Sequence, residues 1–176
     1  MATVELGYDF TKTYTSLTPT PKDLDNTAPK LGTIFESTDG KAYRFVLNNH
    51  SSDLVIGDVV FLDKTASYPN AVSVLNTDSC GAVAAGVMAG AAMGAIPAAG
   101  YGWIQFAGVG SANWEGTTDI VLGDSLKGVN SQVYVVKDAA LAATATYVNH
   151  MRALAAYTTN AAAVGTDNVA INCRVW

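Results

Sequence analysis

From Ser79 to Trp114 no side chain carries a full charge, which narrows what the chain can fold into. The segment "CGAVAAGVMAGAAMGAIPAAGYGW" is long enough to cross a bilayer, and Gly86, Gly90 and Gly94 fall at four-residue steps that would give a helix a small-residue packing face. Its apolar content, however, is mostly Ala and Gly, no Lys or Arg flanks it, and Pro97 and Gly100 interrupt the pattern. As soluble β-structure, the same small residues let backbones approach closely and pack tightly between sheets or subunits. On that reading "IPAAGYGWIQFAG" is a Pro/Gly turn entering a core strand, with Trp103 a large side chain among small ones.

The flanking sequence supports β-structure. In "LGTIFESTDGKAYRFVLNN", Asp39-Gly40 fits the centre of a type I′ turn, which sets Ile34 opposite Phe45 and Glu36 opposite Tyr43. Gly57-Asp58 leads into a strand at Val59 to Leu62, and "IVLGDSLKG" presents a second Gly-Asp pair, 66 positions on, too short a match to establish a repeat. "SQVYVVKD" reads as another strand, and "NVAINCRVW" places Val169, Ile171, Cys173 and Val175 on one face. Tyr147, Met151 and Leu154 stand at helical spacing and predict one short helix of about three turns within Thr146 to Tyr157. The expected fold is mainly β: a small antiparallel barrel or sandwich with an extended N-terminal arm and that one helix.

The length of 176 residues suits one domain, here residues 31–176, preceded by an arm at 1–30. Val4, Leu6, Tyr8 and Phe10 alternate with Glu5, Gly7 and Asp9, a strand pattern whose apolar face needs a cover. Thr11 to Pro29 is Thr-rich and contains Pro19, Pro21 and Pro29, which suits an extended segment that docks on something. Trp114, in "GSANWEGTTD", lies among small polar residues without alternation and reads as a loop tryptophan, a contact anchor.

Charged residues make up only 14% of the chain, and the ten Lys and Arg are scattered singly under a net charge of −5. That argues against a nucleic-acid partner and suits a surface packed against neighbours. Cys80 and Cys173 lack metal-ligand spacing and read as buried free thiols; His50 and His150 stand alone, and no phosphate loop, dinucleotide fingerprint or GxSxG is present. The N-terminus has no basic segment followed by an apolar run, so synthesis in the cytoplasm is expected. Asp63-Lys64-Thr65-Ala66 is similar to the lysine tip of biotinyl and lipoyl carrier domains, but those are about half this length and more acidic there, and Lys64 reads as an ordinary hairpin lysine. The expectation is a protein that is not an enzyme and takes no cofactor and no metal.

The order of the pieces carries a resemblance. The hairpin "GTIFESTDGKAYRFVLNN", then "GDVVFLD", "AAGVMAG", "IPAAGYGWIQFAGVG", an Ala/Thr-rich stretch and a closing strand resemble the capsid decoration, or cement, proteins of tailed bacteriophages, over about Leu31 to Trp176. Gly100-Tyr101-Gly102-Trp103-Ile104-Gln105 is its most specific element. The resemblance implies a structural virion protein on the outer capsid surface that cements neighbouring major capsid protein subunits. It also implies a homo-oligomer, a trimer or else a dimer, with no membrane. The arm would reach neighbouring subunits, and the expected capsid- or subunit-binding residues are Tyr8, Phe10, Tyr14, Leu17 and Trp114. An alternative is a virion surface module that binds carbohydrate or receptor through clustered exposed aromatics.

Overall fold

The computed structural model describes residues 9–17, 28–63, 66, 70–74, 87–115, 118–138, 149–157 and 164–173. Their strands are β1 (Ile34–Glu36), β2 (Ala42–Asn48), β3 (Val59–Asp63), β4 (Ala71–Ser73), β5 (Met88–Ala92), β6 (Tyr101–Glu115), β7 (Ser125–Gly128), β8 (Val135–Lys137), β9 (Asn149–Ala153) and β10 (Val164–Cys173). They form one hydrogen-bonded sheet, β1-β2-β4-β3-β5-β6-β10-β9-β7-β8, which the pairings β2–β6 and β6–β8 close on itself twice. The result is two five-stranded rings, β2-β4-β3-β5-β6 and β6-β10-β9-β7-β8, that share β6. The fold is thus mainly β and barrel-like, as the sequence pattern indicated.

The helix expected within Thr146 to Tyr157 is replaced, over its described part, by β9 and the bridge residue Tyr157. Met151 and Ala153 are buried while Arg152 and Leu154 are exposed, a two-residue period that the helical spacing of Tyr147, Met151 and Leu154 concealed. Pairing with β10 on one side and β7 on the other fixes that extended form. The first hairpin exists, but its register differs by one. Ile34 faces Arg44, Phe35 faces Tyr43 and Glu36 faces Ala42. The Gly40 N–H donates to the Ser37 carbonyl (3.1 Å) and Gly40 has φ 83°, so the loop is a three-residue turn closed by a left-handed glycine rather than a two-residue type I′ turn. The shift puts Phe35 on the packed side and leaves Ile34 in solvent.

The two Gly-Asp pairs are equivalent parts of a structural repeat. Leu54 bridges Ile96, and Ile120 bridges Tyr157. The Gly57 N–H donates to the Ala92 carbonyl and the Gly123 N–H to that of Ala153, each at 2.9 Å. Asp58 Oδ2 accepts from the Val55 N–H (2.7 Å), and Asp124 Oδ2 from the Val121 N–H (2.9 Å). Gly57 and Gly123 both hold positive φ, 85° and 89°, which only glycine adopts without strain. The repeat escaped the sequence because these turn residues are nearly all that the two halves share.

Val46, Val60, Val72, Ile96 and Ile104 fill the first ring. Trp114, Leu126, Val135, Met151, Val169 and Cys173 pack in a second cluster, to which β3 contributes Val59 and Phe61. Phe61 lies against Gly128, so the rings pack on each other as well as sharing a strand. Cys173 is a buried free thiol whose pKa burial pushes up to about 12, and Cys80 lies outside the described residues.

The paired aspartates respond to acid in opposite senses. Burial raises the pKa of Asp58 against the bonds from Val55 and Asn113 that lower it. Its folded state therefore holds a proton more tightly than the unfolded one, and its contribution is present below about pH 4 and lost as pH rises through the folded value. Burial also raises that of Asp124, but the Val121 N–H and the Lys137 ammonium outweigh it and the net shift is downward, so its contribution is lost as pH falls. Between about pH 6 and about pH 3, wild-type stability should rise relative to Asp58→Asn and fall relative to Asp124→Asn. Denaturant midpoints of the three proteins across that range check this, and parallel curves would refute it.

Candidate functional site

β5 leaves its pairing with β6 at a bond from the Met93 N–H to the Trp103 carbonyl (3.0 Å). Beyond it, Tyr101 offers an N–H and a carbonyl along an uncovered edge, and Tyr14 of the arm takes both. The Tyr14 N–H donates to the Tyr101 carbonyl (2.8 Å), and the Tyr101 N–H to that of Tyr14 (2.7 Å). This is strand addition at a sheet edge, the mode in which main-chain bonds supply affinity.

Glycines form the bed on which the arm lies. A Cβ at Gly94 would stand 2.5 Å from the Thr11 carbonyl oxygen, one at Gly100 3.0 Å from that of Tyr14, and one at Gly102 3.2 Å from Thr13 Cγ2. Any side chain at Gly94 would lift the arm. The string "GAIPAAGYGW" therefore does more than pack the barrel.

Aromatic rings hold the arm beyond its two bonds. Phe10 stacks on Tyr43 (centroids 4.0 Å apart) and meets Trp103 edge-on and Phe35 at a tilt, each at 5.2 Å. Tyr14 sets its edge against Phe45 at 5.6 Å, and Leu17 and Ala28 pack against the same cluster. Burial raises the pKa of both Tyr14 and Tyr43, keeping the phenols neutral. Asp9 shapes the arm's turn by accepting from the Thr11 N–H (2.9 Å) and hydroxyl (2.6 Å), bonds that lower its pKa.

Of the residues expected to contact a partner, Phe10, Tyr14 and Leu17 are brought together, on the chain's own barrel. Tyr8 lies outside the described residues, as does Lys64. Trp114 is not on a loop: it sits in β6, fully buried, with its ring 5.7 Å from that of Tyr157. The small residues before it, Gly110 to Asn113, are strand residues, among them Asn113, which donates to Asp58 (2.8 Å) and accepts from the Thr166 hydroxyl (2.6 Å). A wholly buried side chain cannot anchor a partner.

A second surface feature was missed. The two equivalent turns each present an apolar pair to solvent, Val55 (53% exposed) with Ile56 (59%) and Val121 (48%) with Leu122 (69%). The signal was available: "LVIGD" and "IVLGD" both place two aliphatic residues before Gly-Asp. Among the described residues no group of three or more His, Cys, Asp or Glu could hold a metal ion, and no helix is long and apolar enough to cross a membrane. What the site offers is contact area and backbone pairing.

No protein-family model matches the chain, and no curated protein matches it.

Gly94→Val should undock the arm while leaving the rings closed. Losing about 1.4 kcal/mol or more of docking energy raises the open population about tenfold. Trypsin cleavage after Lys12 should accelerate by that factor with little change in the main unfolding transition. An unchanged cleavage rate would mean that the arm is not held by this bed.

Proposed function

We propose that this chain is a capsid decoration protein, a non-enzymatic virion component that binds the outer surface of a phage shell and cements neighbouring major capsid protein subunits. The observation that carries this reading is the pair of equivalent apolar turns, Val55-Ile56 and Val121-Leu122, each stiffened by its Asp and Gly and standing out from a two-ring body. Two like contacts on one body, multiplied over an oligomer, give avidity without any single strong site. The resemblance centred on Gly100 to Gln105 supports the same reading, as does the low charge density. A homo-oligomer, with a trimer favoured, is the form in which these contacts would meet a symmetric shell.

The described arm turns its aromatic side onto its own barrel, so in this reading the shell contact falls chiefly on the turns. The exposed arm residues Asp9, Thr11, Thr15 and Ser16 are left to face a neighbour. The seven exposed large apolar residues are all aliphatic among the described residues, which gives a sugar-binding module no ring platform.

The test mixes the purified chain with undecorated, expanded heads of its own phage. Stoichiometric ordered density on the shell is expected. The double variant Ile56→Asp, Leu122→Asp should melt within a few degrees of wild type, since both side chains are exposed, yet bind heads at least about tenfold more weakly. Absence of wild-type binding would sink the capsid reading, and undiminished binding by the variant would remove the turns from it.

A further inference from the structure

Both rings open a sheet edge at the same place, and among the described residues only the first edge is filled. The bonds from Gly57 and Gly123 match Ala92 with Ala153, and the bridges match Leu54–Ile96 with Ile120–Tyr157. In the first ring β5 leaves β6 at the bond from the Met93 N–H to the Trp103 carbonyl (3.0 Å). In the second ring the chain after β9 leaves β10 at the bond from the Leu154 N–H to the Asn168 carbonyl (3.2 Å). Leu154 follows Ala153 as Met93 follows Ala92, so Asn168 corresponds to Trp103 and Thr166 to Tyr101.

On a strand the backbone groups of residues two apart point the same way. The Asn168 carbonyl points towards β9, so the N–H and carbonyl of Thr166 do too, beyond the point where that neighbour has left. Among the described residues no backbone bonds either group. At Tyr101 the same two groups hold Tyr14, through bonds of 2.8 and 2.7 Å. The Asn168 N–H is already short of a backbone acceptor and donates to the Asp167 carboxylate (2.7 Å). A side chain thus guards the start of an open edge.

The repeat also indicates what this edge accepts. Gly100, which lets the arm backbone come close, has its counterpart in Gly165, the register partner of Trp114. The Tyr14 ring rests on Phe45, and the counterpart of Phe45 is Ser111, exposed and polar. Thr13, the residue before Tyr14, lies over Gly102, and the counterpart of Gly102 is Asp167. Asp167 belongs to no ion pair among the described residues, and Arg152 of β9 stands opposite Ala170, in the outward phase.

We propose that the Thr166 edge of β10 is a second strand-addition site, which takes an extended segment of a partner chain: a small polar residue opposite Thr166, preceded by a basic one. Main-chain bonds to Thr166 hold the segment, and its side chains select it. The polar residue lies on Ser111 and the cation meets Asp167. The chain's own arm suits the edge poorly, because Tyr14 would meet Ser111 and Phe10 would meet Asn168. The site follows from the repeat and needs no capsid.

The experiment titrates the isotope-labelled full chain with the capped peptide Thr-Val-Lys-Ser-Val-Thr, to a few millimolar, and follows backbone amide signals by NMR. A saturable shift of the Thr166 amide is expected. The same peptide N-methylated at Ser cannot donate to the Thr166 carbonyl and should bind at least about tenfold more weakly. The wild-type chain should prefer this peptide to its Lys-to-Glu version, and Asp167→Lys should reverse that preference. No shift at Thr166, equal binding of the N-methylated peptide, or an unchanged preference in Asp167→Lys would each overturn the proposal. Equal binding at Thr166 of a peptide copying Phe10 to Ser16 would also overturn it, by giving the edge to the arm of a second copy.

Discussion

The backbone of β6 makes ladder bonds in both rings. Its first half pairs with β2 and β5, and its second half with β10 and, at Trp114, with β8. Ala107 has partners on both sides, Ala42 and Asn172, so one ladder hands over to the next there. A strand held this way exposes almost no edge, which removes the aggregation hazard of an open sheet. Where an edge does appear, at Tyr101, the arm fills it. The charge-free stretch follows from the same geometry. Gly102 to Ala107 are all buried: Ile104 looks into the first ring, Trp103 lies beneath the arm, and Phe106 and Ala107 join the second cluster, so a charge at these positions would be desolvated without a partner.

Much of this was legible in the residues, and the misreadings have identifiable causes. Period-two patterns and Gly-Asp turns were enough for the β class, since those signals are local. The hairpin register was not, because Asp39-Gly40 suits both a two-residue and a three-residue loop, and the ladder beyond the turn decides between them. Met151 and Leu154 sit three apart in an Ala-rich segment and mimic a helix; only their pairing with distant β10 and β7 shows otherwise. Trp114 misled for a related reason: the polar Ser111 and Asn113 that suggested a loop alternate along β6 with Ala112 and Trp114 of the core. Of the candidate site, Phe10 was expected on a face in need of cover and is covered, while Val4, Leu6 and Tyr8 of the same alternation lie outside the described residues. The cover itself, Tyr43, Phe45 and Trp103, was hidden, because strands buried on both faces lose the alternation that would mark an outward aromatic.

The repeat shows which parts of a small barrel are tightly constrained. The turn hydrogen bonds are kept between the halves to within a few tenths of an ångström, while the groups facing the two aspartates differ, Asn113 for Asp58 and Lys137 for Asp124. Both turns keep a glycine at φ 85° or 89° and an acceptor for its N–H, whereas the outer partner of the aspartate changes. That freedom reverses the pKa shift of the two carboxylates while their structural task stays the same.

The same divergence explains why the arm chooses one ring. Asn48 lies opposite Val72 and Trp114 opposite Val135 in equivalent parallel pairs, so three residues earlier Phe45 corresponds to Ser111. Their antiparallel partners are Trp103 and Asn168. The outer face of the first ring thus carries two large aromatics where the second carries a serine and an asparagine, both exposed. Docking an apolar arm on the second face would set Phe10 against polar side chains and forfeit the ring contacts, each worth about 0.5–1.5 kcal/mol beyond the area buried. A body with two nearly equivalent halves is thereby given a single orientation: one face is sealed by the arm, and two like turns are left free. In the proposed capsid role, a partner would meet a duplicated contact on a body that can be placed in only one sense.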